Sequence, residues 1–373
     1  MYYQWYLPEQ KPLKETVVEV NGTEFNMQYY IDAITFQLGE YSAYAEYYLD
    51  YVLEAVEQQE VIRQQAEELG ITVSDDEVKE VIDTYGHNDT RAARDAIRAG
   101  LLITKLKEEY FDPQVPVSAE HRHVMAMLLE SEAQAAEVES RLEAGEDFGD
   151  IAAELSLEND TQESSGDLGW LPEGVLDELI GTDILESHVF DSQLGGLSQP
   201  VYDEEIGKEV GYWLIEMLEK DDDAGEVTVQ AMLLSSEEEA QEVLDRLNAG
   251  EDFAELAEEY SQYGTEGSRA DIGTIAEGDM TEAFEEYAFA EDTELNVVSG
   301  IIRDDETSTT GGYWLYEVTG TGTMSISEDN RETLVDDLAD EWFVAIWENP
   351  DNVIISYLDE EMRDFAVRKV TGE

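Results

Sequence analysis

The sequence AMLLESEAQAAEVESRLEAGEDFGDIAAELS, from Ala126 to Ser156, recurs as AMLLSSEEEAQEVLDRLNAGEDFAELAEEYS from Ala231 to Ser261. Nineteen of the 31 aligned positions are identical without a gap, at an offset of 105 residues. This period is far longer than the repeating unit of a solenoid. The pattern therefore indicates a duplicated domain, and the fold is worked out from its two copies.

Each copy predicts the same short series of elements. An apolar run, Val124 to Leu129 or Val227 to Leu234, predicts a strand, and Ser131 or Ser236 then begins a helix with a capping box. Further along, a second helix and a glycine-rich turn precede a closing aromatic strand that begins at Gly211 or Gly312. We therefore expect each copy to be a small α+β unit, with its first and last strands paired in one sheet.

The segments outside the repeats are predicted to be mainly helical. Thr16 to Asn21 resembles a short strand before the turn residues Asn21-Gly22, and the pattern from Asn26 to Asp112 is helical. Apolar residues at helical spacing also run from Ser327 to Val370, with a break at Asn349-Pro350. Both ends carry apolar stripes that need partners, so we expect them to form one domain. The expected boundaries are 1–115 for an N-terminal helical domain, 116–221 and 222–322 for the copies, and 323–373 for C-terminal helices that pack on the N-terminal domain.

The composition limits the classes of function. The 373 residues include 91 Asp and Glu against 20 Lys and Arg, a net charge of −71. The acid is spread along the chain, which fits a salty medium; a moderately acidic secreted protein is the alternative. Nucleic acid and anionic membrane surfaces are poor partners for such a chain, because no basic patch exists. Since the chain has no cysteine, disulfides, thiol nucleophiles and cysteine-based metal sites are excluded as well.

The first residues, Met1-Tyr2-Tyr3-Gln4-Trp5-Tyr6-Leu7-Pro8, are rich in aromatic side chains. Tyr and Trp cluster at membrane–water interfaces, so one interpretation is a membrane anchor upstream of residue 1. The other is an aromatic stretch that packs on its own domain. No run of 18 apolar residues occurs in the sequence, so we expect no membrane-spanning segment within it.

The two copies resemble parvulin domains, the rotamase modules of prolyl isomerases. Gly250-Glu251-Asp252-Phe253-Ala254-Glu255-Leu256-Ala257 and Gly166-Asp167-Leu168-Gly169-Trp170 match the family's internal motifs, and Gly211-Tyr212 and Gly312-Tyr313 match its last strand. The N-terminal segment resembles the helical chaperone domain of SurA, PrsA and PpiD-type foldases through Val17-Val18-Glu19-Val20-Asn21-Gly22 and the stretch from Ala66 to Asp75. The resemblance covers nearly the whole chain.

This resemblance implies an extracytoplasmic chaperone, on a cell surface or in a periplasm-like space, that binds unfolded or nascent exported polypeptides. It implies no cofactor and no metal. The alternative is an active parvulin-type peptidyl-prolyl cis-trans isomerase, which accelerates an exchange that otherwise takes tens of seconds or more. A structural surface protein that reuses the fold is a third interpretation.

The catalytic positions favour the chaperone, because the family's histidine pair is absent. By the resemblance, the first-strand histidine falls on Ala126 and Ala231, and the last-strand histidine on Trp213 and Trp314. The carboxylate position is Glu158 in the first copy, the one catalytic candidate, and Tyr263 in the second. His123 lies at an odd offset from Ala126, which places it on the other face of the strand. His121 and His123 as a metal pair compete with a simpler interpretation, two solvated histidines before the strand.

The apolar proline pocket is better preserved than the catalytic groups. By the resemblance, its substrate-binding positions are Met280, Phe284 and Phe289 with Trp314 in the second copy, and Val175, Leu179 and Phe190 with Trp213 in the first. Plain core packing is the alternative for all of these side chains. The two tryptophans either fill the pocket or widen an aromatic surface for unfolded chains, and the second interpretation is preferred.

Overall fold

The structure is a computed structural model that describes residues 11–192, 194–221, 224–264, 267 and 269–372. The aromatic start from Met1 to Pro8 lies outside these residues. In chain order the strands are β1 (Thr16–Val20), β2 (Thr23–Asn26), β3 (Ser118–Leu129), β4 (Asp167–Pro172), β5 (Val201–Lys208), β6 (Gly211–Asp221), β7 (Glu226–Leu234), β8 (Asp271–Ala276), β9 (Ile302–Asp304), β10 (Thr309–Ser325) and β11 (Ile354–Ser356).

The helices occupy both the ends and the repeats. In chain order they are α1 (Met27–Leu38), α2 (Ala45–Glu68), α3 (Asp75–Tyr85), α4 (Arg91–Lys105), α5 (Glu132–Glu143), α6 (Phe148–Leu155), α7 (Asn159–Glu163), α8 (Leu176–Ile180), α9 (Ile184–Asp191), α10 (Glu237–Asn248), α11 (Phe253–Tyr260), α12 (Glu282–Ala288), α13 (Glu328–Trp347) and α14 (Glu360–Thr371). The mixture of helices and sheets confirms the expected α+β class. None of the described helices is long and apolar enough to cross a membrane.

The two ends of the chain form one compact unit, here called the helical unit. It contains the described residues up to Val117 and those from Ser327 onward. Its core joins residues of α1 and α2, such as Ile34 and Val56, to Phe365 of α14 and Ile346 of α13. Arg331 at the start of α13 donates to the carbonyl oxygen of Val115 at 3.0 Å. The two terminal segments therefore pack together within the helical unit.

The helical unit also contains a three-stranded sheet in the order β11-β1-β2. The turn predicted at Asn21-Gly22 is present, and both residues have positive φ angles, 49° and 86°. Strand β11 was not predicted, because three residues between two helices carry too little pattern. It pairs antiparallel with β1 and so ties the C-terminal segment to the N-terminal hairpin.

The residues from Ser118 to Ile326 form the second compact unit, here called the repeat unit. It contains two four-stranded sheets, β4-β3-β10-β5 (sheet I) and β8-β7-β6-β9 (sheet II). Ser131 and Ser236 cap their helices as predicted, because they accept the amide hydrogens of Gln134 and Glu239 at 3.1 and 3.2 Å. The predicted capping boxes are incomplete, since Gln134 and Glu239 accept the amide hydrogens of Glu130 at 2.9 Å and Ser235 at 2.8 Å instead of those of the cap residues. Each cap begins the first helix of its copy.

The last strands of the two copies are exchanged. Strand β6, which ends the first copy, pairs with β7, the first strand of the second copy, in the register Trp213 with Leu233. Strand β10 pairs with β3 in the register Trp314 with Leu128. The expectation that each copy pairs its own first and last strands is therefore wrong. The ranges 116–221 and 222–322 describe the repeats along the sequence only, because each sheet contains strands of both repeats.

Two short connections carry the exchange, Glu209-Val210 between β5 and β6 and the residues 305–308 between β9 and β10. Each exchanged strand has a glycine that passes close to its neighbours, at the start of β6 and near the start of β10. A Cβ atom on Gly211 would lie 2.6 Å from Cδ1 of Leu233, and one on Gly312 would lie 2.8 Å from Cδ1 of Leu128. These glycines let β6 and β10 enter the sheet of the other repeat.

Candidate functional site

The pocket position of sheet II is occupied by Trp213. Its indole ring meets the ring of Phe284 edge-on, at 5.0 Å between centroids and 88° between planes, and the ring of Tyr263 at 5.4 Å. The indole N–H donates to Oδ2 of Asp304 at 2.9 Å, and the hydroxyl of Thr281 donates to the same oxygen. Trp213 is 1% exposed, so its side chain fills this position.

Met280 and Phe289 lie at the surface beside this core. They are partly buried and pack on the cluster that holds Trp213 and Phe284. The two side chains also line an open pocket of about 460 Å³, whose other lining residues are Glu277, Glu282, Glu285 and Glu286. The carboxylate of Glu285 accepts the amide hydrogens of Gly278 at 2.7 Å and of Met280 at 3.0 Å, which fixes the loop that presents Met280. Of the predicted second-copy positions, Met280 and Phe289 are accessible to a ligand and Phe284 is not.

Sheet I repeats this arrangement with Trp314, which is 0% exposed. Its indole N–H donates to Oδ2 of Asp203 at 3.2 Å. Helix α9, which carries the half-buried Phe190, packs on β3, β5 and β10. The guanidinium of Arg122 lies 5.6 Å from the Phe190 ring centroid.

The other first-copy positions lie around helix α8. Val175 is buried just before α8, and Leu179 on α8 is exposed. Helix α8 is held by Glu186, whose carboxylate accepts the amide hydrogens of Gly174 at 2.6 Å and Leu176 at 3.0 Å. Burial raises the pKa of Glu186, and these two hydrogen bonds oppose the rise. Among these positions, only Leu179 and part of Phe190 are accessible to a ligand.

Two expectations about the tryptophans are corrected. The first is their assignment: Trp213 lies with Phe284 of the second copy, and Trp314 lies in the sheet on which Phe190 of the first copy packs. The reason is the strand exchange, which moves each last strand to the other repeat. The second is the expectation that the tryptophans widen an aromatic binding surface. Both indoles are buried and each is hydrogen-bonded to an aspartate, so they fill the pocket positions instead.

The catalytic positions hold no proton-transfer pair. Ala126 and Ala231 are fully buried in β3 and β7. Glu158 is partly exposed, but both carboxylate oxygens are engaged as the cap of α7, where they accept the amide hydrogens of Asp160 at 2.8 Å and Thr161 at 2.7 Å. A carboxylate with this capping role supports the start of a helix. Tyr263 meets the ring of Trp213 edge-on and provides no carboxylate.

The histidines of the first copy lie within strand β3, which begins at Ser118, earlier than predicted. His121 is buried and its Nδ1 lies 3.0 Å from the carbonyl oxygen of Ala119, so the expectation of a solvated residue is wrong for it. His123 is partly exposed between Thr319, 2.7 Å from Nδ1, and Asp167, 3.2 Å from Nε2. Within the described part of the chain, no group of three or more metal-ligating side chains is found.

A second candidate site, which the sequence did not reveal, lies in the helical unit. An apolar groove of about 340 Å³ is formed by α2, α4 and α13, here called the α13 groove. Its lining residues are Gln58, Val61, Ile62, Ile103, Phe343, Val344, Ile346 and Trp347. Val344 is 55% exposed at its edge. The sequence signal that could have found it is the unbroken apolar run of α13 from Trp342 to Trp347.

The repeats match one family model. The model of the Rotamase family, described as the PPIC-type PPIASE domain, matches residues 123–219 and 224–319, which together are more than half of the chain. The chain belongs to this family. The matched ranges follow the sequence order of the two rotamase repeats and confirm the resemblance to parvulin domains.

Curated relatives include foldases and a chaperone. The foldase protein PrsA of Caldanaerobacter subterraneus subsp. tengcongensis is 31% identical over 163 residues, which are 40% of this chain and 52% of that protein. The chaperone SurA of Pseudomonas fluorescens is 26% identical over 270 residues, 57% of this chain and 61% of that protein. The chain thus spans about half to three-fifths of the length of these two relatives. The PrsA crystal structure from Bacillus anthracis is 13% identical with a TM-score of 0.35, covering 86% of this chain and 96% of that one.

Proposed function

We propose that this protein is an extracytoplasmic chaperone that binds unfolded exported polypeptides and accelerates prolyl isomerisation weakly or not at all. The observation that carries the binding function is the α13 groove, an apolar groove with the exposed Val344 at its edge and half-buried side chains along it in a very acidic protein. Open apolar surface of this kind is typical of sites that bind other proteins. Its ligand would be an apolar segment of an unfolded chain.

The proposed loss of efficient isomerisation is based on the side chains that fill the two rotamase pockets. An indole can donate one hydrogen bond and accept none, so Trp213 and Trp314 cannot replace the imidazoles of active relatives. Both indole N–H groups are already used, by Asp304 and Asp203. The carboxylate of Glu158 accepts two backbone hydrogen bonds in its capping role. These contacts support a repeat unit that retains the family fold without its catalytic groups.

The location of the protein outside the cytoplasm is part of the same proposal. It rests on the relatives named PrsA and SurA, whose match covers part of their length. The high acidic charge fits an environment with enough salt to screen it. A membrane anchor before residue 1 remains a hypothesis, suggested by the aromatic residues at the start of the sequence.

The groove can be tested with a matched pair of variants. Val344→Asp introduces a charge at the edge of the α13 groove, and Val353→Asp makes the same change at another position of the helical unit that is also 55% exposed. We expect Val344→Asp to weaken suppression of the aggregation of an unfolded client, because burying a carboxylate against an apolar ligand is unfavourable. Val353→Asp should leave suppression unchanged. Equal effects of the two variants, or none, would contradict the proposed site.

A further inference from the structure

Five tyrosines form an exposed aromatic surface where helix α2 begins. Tyr41, Tyr44, Tyr47, Tyr48 and Tyr51 are 69%, 56%, 81%, 44% and 66% exposed, and they are here called the tyrosine surface. The opposite face of the helix buries Ala45, Leu49, Val52 and Val56 in the core. Folding of the helical unit is thus served by the buried face, whereas the tyrosine rings face solvent, with Tyr48 and Tyr51 in edge-on contact at 6.5 Å between centroids. A contiguous exposed aromatic surface indicates an interaction site.

The chain segment that carries this surface has charge of one sign, and the guanidinium of Arg363 on α14 reaches it. No Lys or Arg occurs between Lys14 and Arg63, whereas the same stretch contains exposed carboxylates at Glu40, Glu46 and Glu54. A fourth carboxylate, on Asp50, is held by the guanidinium of Arg363 from α14 at 3.0 Å. A cation would therefore meet uncompensated carboxylates and the negative faces of several tyrosine rings. Lysine and arginine bind aromatic faces in this way, most often arginine.

The tyrosine surface and the α13 groove lie along the same side of helix α2. Tyr51 and Gln58 are seven residues apart on α2, a spacing that brings side chains back to nearly the same face of a helix. Gln58 and Ile62 both line the α13 groove. Ile62 follows Tyr48 at twice the seven-residue spacing, so these two side chains also lie near one face of the helix. Seven residues of helix measure about 10 Å, so about three residues of an extended chain would span the distance.

We infer that the tyrosine surface binds the cationic part of a client segment whose neighbouring apolar part occupies the α13 groove. This inference rests on the proposed function and specifies its substrate: an unfolded segment in which Lys or Arg residues lie about three residues from an apolar cluster. Other occupants are disfavoured by charge. A second copy of this chain and an anionic membrane would both bring negative charge to a negative surface.

Binding of two labelled peptides to the full chain tests the inference. Both peptides carry the same apolar block, followed by a block rich in arginine in one and by the same block with glutamate in the other. We expect the arginine peptide to bind at least about tenfold more tightly, and Tyr41→Ser/Tyr47→Ser/Tyr51→Ser to remove about tenfold of its affinity. The glutamate peptide should bind equally to the wild type and the variant. Tyr→Phe at the same three positions should keep the preference, because the rings remain.

Tyr85→Ser is the control, because Tyr85 is 73% exposed in the same unit and lies on α3, away from α2. The inference is overturned if the serine variant binds the arginine peptide as the wild type does. It is also overturned if the variant instead loses binding to neutral phosphatidylcholine vesicles or changes its oligomeric state. If the apolar block binds and Val344→Asp abolishes that binding without any preference for arginine, the proposed function stands and this inference fails. If the wild type binds neither peptide and suppresses no aggregation, the proposed function itself fails.

Discussion

Trp213 and Asp304 form a buried hydrogen bond of 2.9 Å that holds the exchanged strand β6 against β9. The matching pair in sheet I, Trp314 and Asp203, is 3.2 Å apart. In each sheet the aspartate lies in a strand of one repeat, β9 or β5, and the tryptophan belongs to the last strand of the other. The pair therefore joins two repeats while it seals the pocket position.

Asp304→Ala should lower the free energy of unfolding by about 1–3 kcal/mol, because the buried indole N–H is left without an acceptor. Asp304→Asn should cost less, since an amide oxygen can still accept one hydrogen bond. Asp203→Ala is the matched change in sheet I. Urea denaturation at constant salt measures all three. Identical losses for Asp304→Ala and Asp304→Asn would contradict the role of this acceptor.

The strand exchange can be tested by cross-linking, because the natural chain has no cysteine. In the exchanged arrangement Glu216 of β6 lies opposite Gln230 of β7, and their side chains are hydrogen-bonded at 2.5 Å. If each repeat kept its own last strand, Glu216 would lie opposite Met125 of β3, as Glu317 does in the structure. We expect Glu216→Cys/Gln230→Cys to cross-link within one chain and Met125→Cys/Glu216→Cys not to. The reverse result would show that the strands are not exchanged.

The exchange could not be predicted from the repeats, for a physical reason. The same kinds of strand pairs form whether β6 returns to β3 or passes on to β7, so the apolar pattern of Tyr212 to Met217 fits both sheets. The connection Glu209-Val210 leads β6 to β7, and its two residues carry no pattern that distinguishes the two sheets. The local elements were predictable, because caps such as Ser131 and turns such as Asn21-Gly22 depend on neighbouring residues alone.

The candidate sites were likewise predictable only in part from the sequence. The resemblance located Phe284 and Phe289 near a pocket, but it assigned the wrong tryptophan to them, since that assignment depends on the exchanged strand. The α13 groove joins Ile62, Ile103 and Phe343, residues far apart in sequence. Such a site has no local pattern, and only the packing of the helical unit brings it together.

A buried lysine should make the stability of the repeat unit depend on pH. Lys208 donates to the carbonyl oxygens of Thr310 and Gly311 while 3% exposed, and burial lowers its pKa to about 8. Because the unfolded chain holds this proton more tightly, stability should rise between about pH 8 and pH 10.5, by up to about 3 kcal/mol from this group. Lys208→Met should flatten that rise in denaturation curves. An equal slope in the variant would rule out Lys208 as its source.

Salt should stabilise the protein strongly. With a net charge of −71, the folded chain is destabilised by repulsion that salt screens over a Debye length of about 3 Å at 1 M. For a folded unit of about 150–250 residues, each kcal/mol by which salt reduces this repulsion raises the Tm by about 2–4 °C. Thermal melts from low to molar salt measure the effect. A Tm that stays constant over that range would remove the interpretation of the charge as an adaptation to salt.

The most direct test of the account measures proline-limited refolding and aggregation suppression with the same preparation at high salt. We predict that the protein suppresses aggregation and that refolding keeps close to its uncatalysed pace of tens of seconds or more. Glu158→Gln should change neither result beyond a small loss of stability, because the side chain caps α7. Efficient acceleration of refolding that Glu158→Gln abolishes would contradict the account and make the first repeat an enzyme. Acceleration that persists in Glu158→Gln would show that a rotamase pocket works without the groups considered catalytic.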